Sequence, residues 1–202
     1  MSNFKFPFFI LFSCVLFFTS GCAQTLRVDS INPDLNVANT GNLSGNAKVA
    51  FEPFKLASKN QEENLIGVAK IGAFNSEAQI VSTEKVSNIV ASAVKRGFRD
   101  AGFNLVDSGD ADFIVTGLVE KFWVDEYATG LSFEYSKASV RYDIIIRNRQ
   151  GATAWANTLD VFMASEKSVD TTANNMPTLS LALKDSVEAI FKDQTFWNAF
   201  QK

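Results

Sequence analysis

Between residues 132 and 147 the apolar side chains Ala138, Val140, Tyr142, Ile144 and Ile146 fall at even positions, with Ser139, Arg141 and Asp143 between them. Successive side chains of a strand point to opposite faces, so this run dictates a long strand with one face buried. One strand cannot bury a face alone, and the chain must therefore build a sheet and cover one side of it. Phe133 and Tyr135 sit at odd positions, out of step with that set. Either a bulge near 136–138 resets the register and takes both rings into the core, or the rings stand on the open side of the sheet.

The cover is legible as two helices. Val86, Ile89, Val90, Ala93, Val94 and Phe98 recur at the spacing of one helical face. They predict a helix over 83–101, started by Ser82 or Thr83 and stopped at Gly102. Pro177 suits the first position of a second helix carrying Leu179, Leu183, Val187, Ile190 and Phe191. Phe196, Trp197 and Phe200 then read as helix packing, with a docking tail as the alternative. Strands are expected at 47–55, ending or bulging at Pro53, at 65–74 with a possible extension at 79–82, at 103–107 and at 112–124. The strand at 112–124 begins apolar on both faces, which marks it as central. A last strand at 153–165 joins 132–147 across a turn at 148–151, where Gly151 suits a positive φ. The expected fold is α+β: a mainly antiparallel sheet of about five or six strands with two amphipathic helices packed on one face.

The N-terminus is organised differently. Lys5 precedes the apolar run Phe8 to Phe18, too short for the roughly 20 residues of a membrane span. A basic start followed by a short apolar stretch is the order of a secretory signal. The run closes on Thr19, Ser20, Gly21 and Cys22, which resembles a lipobox, the site where a cysteine is acylated and the leader removed; Thr19 stands where leucine is commonest. The expected organisation is a signal peptide over 1–21, lipidated Cys22 with a flexible tether over 22–46, and one domain over 47–202. The tether assignment rests on the Asn, Ser and Gly content of 23–46 and on Pro33; the alternative is that Leu26, Val28 and Ile31 pack along the domain as an irregular arm. Removing the leader takes away Lys5 and Cys14, moves the net charge from −3 to −4 and leaves Cys22 as the only cysteine. An intramolecular disulfide is then excluded.

A cysteine of this kind, a polar segment, a helix ending Arg99-Asp100-Ala101-Gly102-Phe103, a strand beginning near Ala111-Asp112-Phe113-Ile114-Val115, a hairpin around Tyr142 and 148–151, and a last helix with Ala182-Leu183-Lys184-Asp185-Ser186-Val187 together resemble the YajG-type lipoproteins. Similar orders of strand and helix occur in lipoproteins that activate penicillin-binding proteins and in curli-secretion lipoproteins. The resemblance implies a small outer-membrane lipoprotein with its domain in the periplasm, and Ala23 after the cysteine fits such sorting.

Chemistry is constrained mainly by what is missing. The chain has no histidine, which excludes Ser-His-Asp and Cys-His catalysis and histidine-ligated metals. The acidic run over 107–112 has Gly109 where a calcium loop needs an oxygen and Leu118 where it needs Glu, so it reads as a solvated hairpin turn. No glycine spacing cradles a phosphate, and no basic patch suits nucleic acid or anionic lipid. The expectation is a noncatalytic envelope protein, without cofactor or metal, held to the membrane by its lipid. It binds or positions an envelope protein, a glycan or a second copy of itself, through Trp123, Tyr127, Phe133 and Tyr135 on the open sheet face. The competing classes are a histidine-independent hydrolase and a lipid carrier.

Overall fold

The computed structural model describes residues 24–38, 47–57, 62–71, 76–129, 133–165 and 176–201. Cys22, the expected signal peptide over 1–21 and residues 39–46 of the expected tether lie outside the described residues. The strands are β1 (Gln24–Val28), β2 (Lys48–Phe51), β3 (Lys55–Leu56), β4 (Leu65–Ile71), β5 (Ser76–Ser82), β6 (Asn104–Leu105), β7 (Phe113–Thr129), β8 (Phe133–Asn148) and β9 (Thr153–Ser165). The helices are α1 (Val86–Asp100), α2 (Pro177–Lys192) and the short α3 (Gln194–Asn198).

The class is α+β as expected, but the sheet is mixed rather than mainly antiparallel. β7 is the axis. On one side it pairs in succession with β2, β3 and β4, all parallel, and on the other it pairs with β8 antiparallel along its whole length. β1 joins β5 in parallel, whereas β4–β5 and β8–β9 are antiparallel. Parallel neighbours were hidden in the sequence because β2 and β3 are four and two residues long. So short a segment carries too few alternations to declare its partner. The same topology corrects the turn at 107–112: a 3-10 turn at Ser108–Asp110 carries the chain from β6, across β2, to β7. Asp112 there accepts from the Lys48 amide at 3.2 Å, which fastens β2 to the start of β7.

Both long helices pack on one face. The stripe read from the sequence is the buried face of α1, from Val86 to Phe98. The helix starts three residues later than expected because Ser82 ends β5; its hydroxyl accepts from the Glu84 amide rather than capping the helix. Gly102 follows with φ 92°, a left-handed position that suits a residue without a Cβ. Gly97 lets α1 and α2 touch, since a Cβ there would lie 2.7 Å from the Phe191 ring and 2.9 Å from Val187. Beneath them Phe98 sits 5.2 Å from Phe51, 5.0 Å from Phe103 and 5.4 Å from both Phe191 and Phe196. Phe196, Trp197 and Phe200 are buried in the same cluster, which makes the C-terminus a core element and not a docking tail. Asp193 holds α3 in place by accepting from the Thr195 amide at 2.8 Å and from the Trp155 ring N–H at 3.3 Å.

Residues 24–38, expected as flexible tether, belong to the fold. β1 adds an edge strand, and Val28, Ile31 and Pro33 are buried. From Val28 the chain crosses α1, where Arg96 donates to Asn32 and to the Pro33 carbonyl. It ends on α2, where the Asn36 amide donates to Glu188 at 2.8 Å. This is the packed-arm alternative, built as a strand followed by an extended strap. Its five-residue alternation was outweighed in the sequence by the polar composition around it.

Candidate functional site: the open face of the sheet

Strand geometry decides which aromatics reach solvent. β8 carries no bulge: its pairing with β7 runs without a break from Arg141 to Phe133, and the irregularity falls in β7, between Val119 and Lys121. Ser136, Ala138, Val140, Tyr142, Ile144 and Ile146 therefore all face the helices and are buried. The odd positions, Tyr135 among them, face away. On β7 the switch at Glu120 places Phe122, Val124 and Glu126 inward, and Trp123, Asp125 and Tyr127 outward.

Tyr127 and Tyr135 stand directly opposite each other in the β7–β8 register. Their rings stack at 4.3 Å between centroids and 7° between planes. Lys70 reaches over the Tyr127 ring at 5.5 Å and Lys137 over the Tyr135 ring at 5.1 Å, so a cation covers each ring. Burial holds the Tyr127 hydroxyl above the ordinary phenol range; Tyr135 and Asp125 push the same way, and Lys70 opposes them. Trp123 lies four residues back along β7, half-buried, its ring N–H donating to Asp125 at 2.9 Å. It does not join the tyrosine stack. Phe133 is the first residue of β8, opposite Thr129, and its side chain lies outside the described residues.

Sequence reasoning missed Phe162. It is 64% exposed, and it pairs with Ser139, which pairs with Trp123. Trp123 and Phe162 thus flank one serine in a single row of the open face. The signal was available: Trp155, Leu159, Val161 and Met163 set the inward parity of β9, and Phe162 breaks it.

On the other face the aromatic cluster around Phe98, Phe191 and Phe196 packs between helices and sheet. A cleft of about 440 Å³ lies instead between the N-terminal strap and α2, lined by Ile31, Pro33, Met176, Leu181 and Lys184 among others. Tyr142 is fully buried beneath α2, its hydroxyl has no hydrogen-bond partner among the described residues, and burial raises it far above the phenol range. Among the described residues no group of three or more Cys, Asp or Glu side chains is placed to hold a metal ion. Nor is any helix of the described residues long and apolar enough to cross a membrane.

No family model matches the chain, and no curated protein does. The fold recurs in solved structures. A Xanthomonas campestris protein of the DUF330 family superposes with a TM-score of 0.52 at 13% identity, covering 83% of this chain and 92% of its own. A second structure, described as an uncharacterized protein, gives 0.51 at 8% identity, with coverage of 84% and 98%. A minor lipoprotein from Acinetobacter baumannii gives 0.39 at 12%, with coverage of 74% and 91%. At these identities the two superpositions above a TM-score of 0.5 show a shared fold alone.

Proposed function

We propose that this chain is a noncatalytic lipoprotein of the outer membrane, anchored through Cys22, whose periplasmic domain binds or positions an envelope protein or glycan on the open face of its sheet. The observation that carries the reading is the row of Trp123 and Phe162 on a face that no helix among the described residues covers. Large rings left in water gain binding energy when a partner excludes that water. The anchor rests on the sequence around Cys22, where two or more acyl chains at about 0.8 kcal/mol per buried CH₂ make release from a bilayer negligible.

Two substitutions test the two halves. Cys22→Ser should abolish acylation and leave the chain uncleaved or released from the membrane; unchanged mass and unchanged fractionation refute the anchor. A photo-crosslinking side chain at position 162 should capture a specific envelope component that the same group at exposed position 152, in the β8–β9 turn, does not. Equal capture at both positions removes the open face as the binding surface.

A further inference from the structure

Six strand termini share one end of the sheet. β1 and β5 start there at Gln24 and Ser76, β4 and β7 finish there at Ile71 and Thr129, β8 starts at Phe133, and β9 finishes at Ser165. One continuous row of paired residues, Gln24–Ala78–Ala69–Glu126–Ser136–Ser165, crosses the sheet close to this end. The next step toward the end carries Lys70, Tyr127 and Tyr135, with Glu77 beside Lys70. The stacked tyrosines and their lysines therefore lie at the end of the sheet where the chain enters β1.

That entry point is two residues from Cys22. Two extended residues span at most about 7 Å. Gln24 is three strand spacings from β7, about 15 Å. Resting on the reading that Cys22 is acylated, we infer that the lipid does not dangle the domain on a long leash but seats this end of the sheet against the bilayer. Tyr127 and Tyr135 then meet the boundary between headgroups and acyl chains.

The chemistry of the end suits that boundary. Tyrosine has an apolar ring and a polar tip, the combination found at membrane interfaces. The ammonium groups of Lys70 and Lys137 lie over the rings, 5.5 and 5.1 Å from their centroids, which sets two cations beside the tyrosines at the level expected of lipid phosphates. The neighbouring acidic groups are engaged: Glu77 pairs with Lys70 at 3.6 Å, and Asp125 accepts from Trp123. Ring insertion rather than net charge dominates, so the contact depends little on anionic lipid. Trp123, four residues up β7, and Phe162 stay above the bilayer for the periplasmic partner.

The full mature chain, reconstituted in phosphatidylethanolamine–phosphatidylglycerol vesicles containing a lipid with a nitroxide headgroup, tests this directly. Ala164→Cys, beside Lys137 on the outer face, and Ala152→Cys, at the opposite end of the sheet, each receive a fluorophore. Mass spectrometry establishes whether Cys22 carries lipid. The expected result is quenching several-fold stronger at 164 than at 152, reduced toward the 152 level by Tyr127→Ser with Tyr135→Ser, while circular dichroism shows the double variant still folded. If that variant fails to fold, the contrast between 164 and 152 in the parent chain decides alone. A lipidated chain with equal quenching at both positions overturns the seated orientation and leaves the anchor standing. A chain without lipid overturns both.

Discussion

The two faces of the β7–β8 ribbon share one backbone ladder yet are built from different chemistry. Toward the helices, Phe122, Val124, Ala138, Val140, Tyr142, Ile144 and Ile146 have no measurable exposure. Away from them, the same strands carry paired polar groups: Arg141 between Glu120 at 2.6 Å and Asp160 at 3.2 Å, and Thr158 donating to Asp143 at 2.6 Å. Among these stand Trp123, Tyr127, Tyr135 and Phe162. Strand pairing holds both faces equally, so what separates them is water. The inner face stabilises the fold by burial, whereas the outer face leaves its rings available for contact because the fold does not depend on them.

The largest effect should come from the inner face. Phe98→Ala removes the ring at the centre of the aromatic cluster and should cost about 3 to 5 kcal/mol in denaturant unfolding. The strap offers a sharper and smaller test. Glu188→Ala removes the charged acceptor of the Asn36 amide and should cost about 1 to 3 kcal/mol, with hydrogen exchange at Asn36 rising before the rest of the domain opens. Acid should act on the same contact. Burial works against ionising Glu188, but the Asn36 amide together with Lys192 and Lys184 outweighs it and holds the carboxyl below its ordinary range. Asp193 is likewise held low, chiefly by the Thr195 hydroxyl. A depressed carboxyl stabilises the fold above its unfolded pKa of about 4 and loses that contribution as pH falls through its folded value. The melting midpoint should therefore drop on acidification through and below that range, and less steeply in Glu188→Ala.

Asp193→Ala should cost about 1 kcal/mol through the lost helix cap, read as a lower melting midpoint. Smallest of all, Phe162→Ser should change stability by no more than about 0.5 kcal/mol while removing partner capture. If Phe162→Ser destabilised the domain as much as Phe98→Ala, the contrast between the faces would collapse, and with it the candidate site.

Much of the inner face was legible because its periodicity is long. The stripe of α1, the even positions of β8 and the proline start of α2 each repeat often enough to state a face. The outer site was legible only in part. Tyr135 and Trp123 are out of step with buried neighbours, but a bulge in β8 would have explained Tyr135 equally well, and nothing local placed the irregularity at Glu120 in β7 instead. Phe162 went unnoticed because Val161 and Met163 surround it with apolar residues. Its meaning emerges only once Ser139 stands between it and Trp123.

By itself the sequence determined the class of fold, the two covering helices, the apolar face each long strand must bury and a side-chain inventory without histidine. These follow from local periodicity and from side-chain inventory, which need no knowledge of distant neighbours. The tertiary structure alone decided that β7 is flanked by parallel strands, that residues 24–38 form an edge strand and strap, and that Tyr127 and Tyr135 stack at the end where β1 begins. Each of these depends on pairings between segments far apart in the chain. A short strand acquires its partner, and an aromatic its neighbour, from register across the sheet, which no local pattern encodes.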